Sequence, residues 1–330
     1  MAENSPALSD VVAAPPAEMV SDDDTRFVMG VGAMRAGSGW TYSYLRTREE
    51  VYCSGLKEWH FFDARHRPRS QEWINDGRLD LLERRLRNAK KALEEEDAER
   101  FKQKLSVVRD VAERLMIGSN LEAYRSFFLK NRGRRNIVAE FTPQYSVLDR
   151  NAFAEMNGLT NDVRFVFVVR NPADRFWSHF QFYQKKGKAQ ELEAALENND
   201  YVLKSDYGRT LTELYSVVPK ERVHIEFFER LFTPGAIERL CAFIDIPYKP
   251  AVFDQRGKNT AAKTSTPKIT PDVRTIVSKR FEHAYRYFEQ QEGVDLPDSW
   301  KKDLQELDAG KAQPSPVHAT QSAEASNALS

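Results

Sequence analysis

The sequence predicts an α/β protein, a single domain with a mostly parallel central sheet flanked by helices, and three observations lead there. Four short segments rich in β-branched or aromatic residues read as strands: Arg26 to Val31, Ile137 to Phe141, Arg164 to Val169 and Arg222 to Phe228. The run Phe165-Val166-Phe167-Val168-Val169 does not alternate with polar residues, which fits a central strand covered on both faces, as the strands of parallel sheets are. Helical patterns fall between the strands, and in sheets of that order ligands bind at the strands' carboxyl ends.

Composition narrows the function classes. A chain of 330 residues can bury a full core without disulfide or metal staples. Its 49 Lys plus Arg balance 49 Asp plus Glu, so the broad basic field of a general nucleic-acid binder is missing and any anion site must be local. The longest apolar runs, such as Val166 to Val169, are too short to cross a bilayer. Cys53 and Cys241 are the only cysteines and no His-Glu-x-x-His spacing occurs, so no metal site is expected and a reducing, cytoplasmic setting is. Residues 1–24 read as a flexible acidic tail and residues 309–330 as a second disordered tail, leaving 25–308 as the domain.

Within that domain Leu79, Leu82, Leu86, Ala89 and Leu93 recur at alternating steps of three and four, as do Leu105, Val108, Ala112 and Leu115. The acidic run Glu94 to Asp97 interrupts the register, so residues 78–116 read as a helical hairpin inserted between the two halves of the sheet. The hairpin is either a charged outer layer with one face on the core or a wall of the ligand cleft. Its heptad-like spacing also leaves room for a homodimer contact.

The first strand is followed by Gly32-Ala33-Met34-Arg35-Ala36-Gly37-Ser38-Gly39-Trp40 and then a helix. Glycines let the backbone approach an anion, successive N–H groups face it, and the helix N-terminus adds positive potential. A nucleotide-hydrolysing P-loop requires Lys after its glycine, whereas Gly37 is followed by Ser38, and a dinucleotide fingerprint requires glycine where Arg35 stands. The third predicted strand ends in Arg170-Asn171-Pro172-Ala173-Asp174-Arg175-Phe176-Trp177-Ser178, with Asn171 placed to cap a helix that Pro172 opens. Arg170 and Ser178 make a second anion clamp, unless Arg170 is consumed by an ion pair with Asp174. Two such loops at strand ends in one sheet imply a ligand with two separated anionic groups.

These motifs resemble the sulfotransferases that use 3′-phosphoadenosine 5′-phosphosulfate. Their Lys-x-Gly-Thr-Thr-Trp loop is similar to Arg35-Ala36-Gly37-Ser38-Gly39-Trp40, and their 3′-phosphate motif to Arg170 through Ser178. Leu56-Lys57-Glu58-Trp59-His60-Phe61-Phe62-Asp63 and Glu140-Phe141-Thr142-Pro143-Gln144-Tyr145 resemble segments of the carbohydrate, heparan-type branch. The resemblance implies a P-loop-kinase-like sulfotransferase fold and in-line, metal-independent sulfuryl transfer to a hydroxyl or amine of a small-molecule or carbohydrate acceptor. It implies that the amides of Ala36, Gly37, Ser38 and Gly39 hold the 5′-phosphate, that Arg35 reaches the bridging oxygen and that Trp40 stacks on adenine. Arg170 and Ser178 then select the 3′-phosphate, with Lys263 from a basic loop closing over it. Glu58 is the implied general base, with a pKa that partial burial raises, and His60 and Asp63 orient it or the acceptor; the structural alternative is that Glu58 simply pairs with Lys57 or with the basic run Arg65-His66-Arg67. Arg35 stands where the family has lysine and Gly39 where it has threonine, which changes the geometry of leaving-group stabilisation. A P-loop kinase or ATPase, or a non-catalytic nucleotide-binding protein of the same fold, is the alternative. Arg65, Arg67, Arg69, Arg132, Arg134 and Arg135 are either solvated faces or the lining of an anionic-sugar groove.

Overall fold

The computed structural model describes residues 21–187, 191–253 and 267–312. Its centre is a five-stranded sheet, every pair parallel, in the order β2-β3-β1-β4-β5. The strands are β1 (Arg26–Gly32), β2 (Val51–Cys53), β3 (Ile137–Phe141), β4 (Asp162–Val169) and β5 (Val223–Phe227). β1 lies between β3 and β4, and Phe27, Val28, Met29 and Val31 are fully buried, as are Phe165 and Val169 of β4. Four strands thus stand where the sequence puts them. β2 was not expected, because three residues at a sheet edge are too few to show a pattern.

The helices, in chain order, begin with α1 (Ser38–Leu45), α2 (Phe61–His66), α3 (Pro68–Glu94), α4 (Ala98–Ile117), α5 (Leu121–Asn131) and α6 (Arg150–Asn157). After β4 come α7 (Pro172–Lys185), α8 (Leu192–Glu197), α9 (Asn199–Val202), α10 (Tyr207–Tyr215) and α11 (Pro234–Ile244), then α12 (Pro271–Arg280), α13 (Glu282–Glu289) and α14 (Asp298–Ala312). Crossovers of this kind cover both faces of the sheet. No helix among the described residues is long and apolar enough to cross a membrane.

α3 and α4 pack as an antiparallel pair broken at Glu95-Glu96-Asp97, where Asp97 caps α4 through the Arg100 amide. α3 starts at Pro68, well ahead of Arg78, because its first turns are polar and carry no leucine repeat. Among the described side chains it buries Ile74, Arg78, Ala89 and Ala92, whereas Leu79, Leu86 and Leu93, seven residues apart, are about half exposed. The acidic run expected in the flexible tail is held: Asp22 pairs with Arg132 at 3.1 Å, Asp23 with Arg125, and Asp24 accepts from Asn161. At the other end α14 continues to Ala312, past the expected start of the second tail.

Candidate active site

The loops after β1 and β4 open side by side, because those strands are neighbours and both run toward the same edge. Between them and the β2–α2 connection lies a cleft of about 1560 Å³, lined among others by Arg35, Gly37, Ser38, Gly39, Trp40, Glu58, His60, Asp63, Arg170 and Ser178. Nearly every site residue named from the sequence therefore meets in one place. Lys263 lies outside the described residues. Ala36 is fully buried, and its N–H closes the loop on the Ala33 carbonyl at 3.2 Å, so it does not face the cleft.

The first loop is shaped by Gly37, which precedes α1 at φ 92, in the left-handed region that favours glycine. A Cβ there would stand 2.5 Å from Leu231. Trp40 and Thr41 donate back to the Gly37 carbonyl, while no intrahelical acceptor exists for the first amides of α1. Arg35 itself has φ 69 and aims across the cleft: its Nε donates to Ser178 Oγ at 3.2 Å, and its guanidinium sits 5.1 Å from the centre of the Phe182 ring. Burial and then Arg170 pull its pKa down, against Glu58. Trp40 is 8% exposed and stacks on Tyr44 and Phe253 with interplanar angles of 11° and 16°. With Phe232 edge-on at 5.2 Å, the ring assigned to adenine is thus already packed on three protein rings.

The second loop joins the first directly. Arg170 Nη1 donates to the Arg35 carbonyl at 3.1 Å, its guanidinium lies 4.6 Å from the centre of the Phe228 ring, and its own carbonyl accepts from Tyr207. Asn171 caps α7 through the amides of Ala173 and Asp174. Asp174 pairs with Arg274 at 2.8 Å and forms no ion pair with Arg170 among the described residues, so the ion-pair alternative for Arg170 does not hold. Burial lowers the pKa of Arg170, opposed by Asp174 and Glu229.

The third component is the turn Lys57 to Asp63, in which Glu58 and His60 both adopt positive φ, 64 and 49. The second carbohydrate-type segment holds this backbone: Glu140 accepts from the Trp59 amide, Thr142 from the His60 amide and Tyr145 from the Phe61 amide. Helix α4 completes the grip, with buried Arg114 donating to the carbonyls of Trp59 and His60 at 2.7 and 2.9 Å, and Arg78 of α3 donates to the Glu58 carbonyl. The helical pair is therefore a wall behind the site. Nothing in the spacing marks Arg114, whose charge disguises a buried position.

Within the turn Glu58 Oε1 accepts from Lys57 Nζ at 2.7 Å, Glu58 Oε2 stands 3.5 Å from His60 Nε2, and His60 Nδ1 meets Asp63 Oδ2 at 2.6 Å. Burial pushes the Glu58 carboxyl up, as expected, but Lys57 and His60 outweigh it and hold the group below the usual carboxylate range. Burial also opposes protonation of His60, yet Asp63 and Glu58 lift its imidazole to about 9. The result is an ionised carboxylate beside a charged imidazole. Behind them, burial raises the Glu140 carboxyl to about 7. Of the arginine runs, Arg67 lines the cleft and pairs with Asp200 at 3.5 Å. Arg65 binds Glu155, Arg132 binds Asp22, and Arg134 and Arg135 border a separate hollow near Ile137. Among the described residues no cluster of three His, Cys, Asp or Glu side chains is placed to hold a metal ion.

Comparison with known proteins gives a consistent result. The sulfotransferase family profile matches residues 28–250. Among solved structures, a sulfotransferase from Alicyclobacillus acidocaldarius superposes with a TM-score of 0.55 at 18% identity, over 84% of this chain and 98% of its own. The sulfotransferase domain of a Synechococcus olefin synthase gives 0.45 at 16% identity, over 88% and 95%. A mouse sulfotransferase complexed with PAP gives 0.35 at 11% identity, over 92% and 89%. No curated protein matches.

Proposed function

The chain belongs to the sulfotransferase family, and from that premise we propose that it moves the sulfuryl group of 3′-phosphoadenosine 5′-phosphosulfate to a hydroxyl, or an amine, of a polyhydroxylated acceptor such as a carbohydrate. The observation that carries this reading is the junction of Arg35 and Arg170 at the ends of adjacent strands, two cations in one cleft that form no ion pair among the described residues. A cleft of about 1560 Å³ exceeds the roughly 300–1,000 Å³ of a usual small-molecule site, which favours two substrates side by side.

Transfer of a sulfuryl group asks the protein mainly for alignment and for charge at the leaving oxygen. In this reading the amides of Gly37, Ser38 and Gly39 hold the 5′-phosphate, and Arg170 and Ser178 bind the 3′-phosphate. Arg35, which reaches across the cleft to Ser178, is assigned to the bridging oxygen. Glu58 takes the acceptor proton. Its depressed pKa makes it a weak base, but an ionised one near neutral pH, and the acceptor proton becomes acidic as the new S–O bond forms. His60 and Asp63 keep the carboxylate oriented.

The test is Glu58→Gln with radiolabelled donor and a panel of hydroxylated acceptors. Transfer is expected to fall by about 10²–10⁴-fold with nucleotide affinity retained. Turnover close to that of the unaltered protein removes Glu58 from the base role, and absence of donor-dependent transfer by the unaltered protein favours the non-catalytic alternative.

A further inference from the structure

Arg170 is the cation that a 3′-phosphate would meet, and two carboxylates stand close enough to compete for it. Asp174 and Glu229 share the cleft with Arg170 and act on its charge. Both are engaged elsewhere. Glu229 Oε1 accepts from the Asn171 amide at 2.8 Å, and Asp174 Oδ1 accepts from Arg274 Nη1 at 2.8 Å.

Arg274 is fixed from its other side. Its Nε and Nη2 fork onto Asp303 Oδ1 and Oδ2 at 2.7 and 2.8 Å, and Asp303 is fully buried in α14. The same carboxylate accepts from Asn171 Nδ2 at 2.7 Å and from the Tyr285 hydroxyl at 2.8 Å, and that hydroxyl oxygen lies 3.0 Å from Asn171 Oδ1. One buried acid thus ties down both the residue after Arg170 and the guanidinium that holds Asp174. A planar fork clamped on one carboxylate can present its remaining donor to a second in only one direction.

We propose that Arg274 is a specificity-determining residue for the nucleotide: held by Asp303, it occupies the Asp174 carboxylate and so reserves Arg170 for a second anionic group, the 3′-phosphate. This rests on the nucleotide reading above and extends it to residues beyond position 250, where the family match ends. Without Arg274, Asp174 would either pair with Arg170 or face the incoming phosphate as a like charge, and both cost affinity at the 3′ side alone.

The test compares binding of 3′-phosphoadenosine 5′-phosphate with that of 5′-AMP by calorimetry. Arg274→Gln is combined with Asp303→Asn, so that no buried carboxylate is left without its partner. Affinity for the bisphosphate is expected to drop by about tenfold or more while 5′-AMP binding is little changed, and adding Asp174→Asn is expected to restore most of the loss. Parallel weakening of both nucleotides, or no restoration by Asp174→Asn, overturns the proposal. Should the double variant fail to fold, Asp174→Ala alone decides: a retained preference for the bisphosphate agrees with a carboxylate that only needs silencing, and a lost preference overturns it. If the unaltered protein binds both nucleotides equally, the nucleotide reading itself fails, a result visible before any variant is made.

Discussion

At the scale of single residues the site depends on two charges held away from their usual behaviour. His60, lifted to about 9 by Asp63 and Glu58, is a cation at neutral pH and helps keep Glu58 ionised. Removing that cation raises the Glu58 pKa toward the ordinary carboxylate value of about 4.3, so the acid limb of kcat/KM moves to higher pH. His60→Asn is therefore expected to lose activity on acidification sooner than the unaltered protein, as read from pH–rate profiles, and an unmoved limb would mean that His60 does not act on Glu58. Arg35 supplies the other charge. Arg35→Ala is expected to lower kcat by about 10²–10³-fold, the usual effect of deleting a donor at a developing oxyanion, with a smaller change in nucleotide affinity. An unchanged kcat at saturating donor would place leaving-group stabilisation elsewhere.

At the scale of elements the site is three loops carried by neighbouring strands and braced from behind. The β2–α2 turn is held by β3 and its following residues on one side and by Arg114 of α4 on the other. Arg114→Met leaves the carbonyls of Trp59, His60 and Gly118 without that donor, a loss of about 1–3 kcal/mol each at most, and loosens the turn that carries Glu58 and His60. A lower midpoint in urea together with reduced kcat and retained nucleotide affinity is expected, and unaltered turnover would confine the α3–α4 pair to a structural role. Much of this was legible in the sequence. Apolar runs located β1, β3, β4 and β5, and glycine, arginine and capping residues located the two loops that meet in the cleft. What escaped was set by tertiary contact: the three-residue edge strand β2, the burial of Arg114, and the leucines of α3, whose spacing of seven puts Leu79, Leu86 and Leu93 on the exposed side. The Glu58 pKa escaped for a similar reason: burial and a pairing with Lys57 were both open on the sequence, but that Lys57 and His60 together outweigh the burial was not.

At the scale of the whole molecule, zero net charge coexists with a cleft that gathers Arg35 and Arg170 from positions 135 residues apart. The sheet order makes this possible, because β1 and β4 are neighbours in space and their loops leave the same edge. The sequence pointed to two loops as candidate anion sites, and only the topology shows that they face one another. On the proposed reading, a nucleotide with phosphates at both ends of its ribose fills that arrangement, and one with a single phosphate leaves half of it unused. The most direct measurement is the rise in melting temperature caused by equal concentrations of 3′-phosphoadenosine 5′-phosphate and of 5′-AMP. A clearly larger rise with the bisphosphate, abolished by Arg170→Ala, is the expected result; equal rises with the two nucleotides would contradict the account.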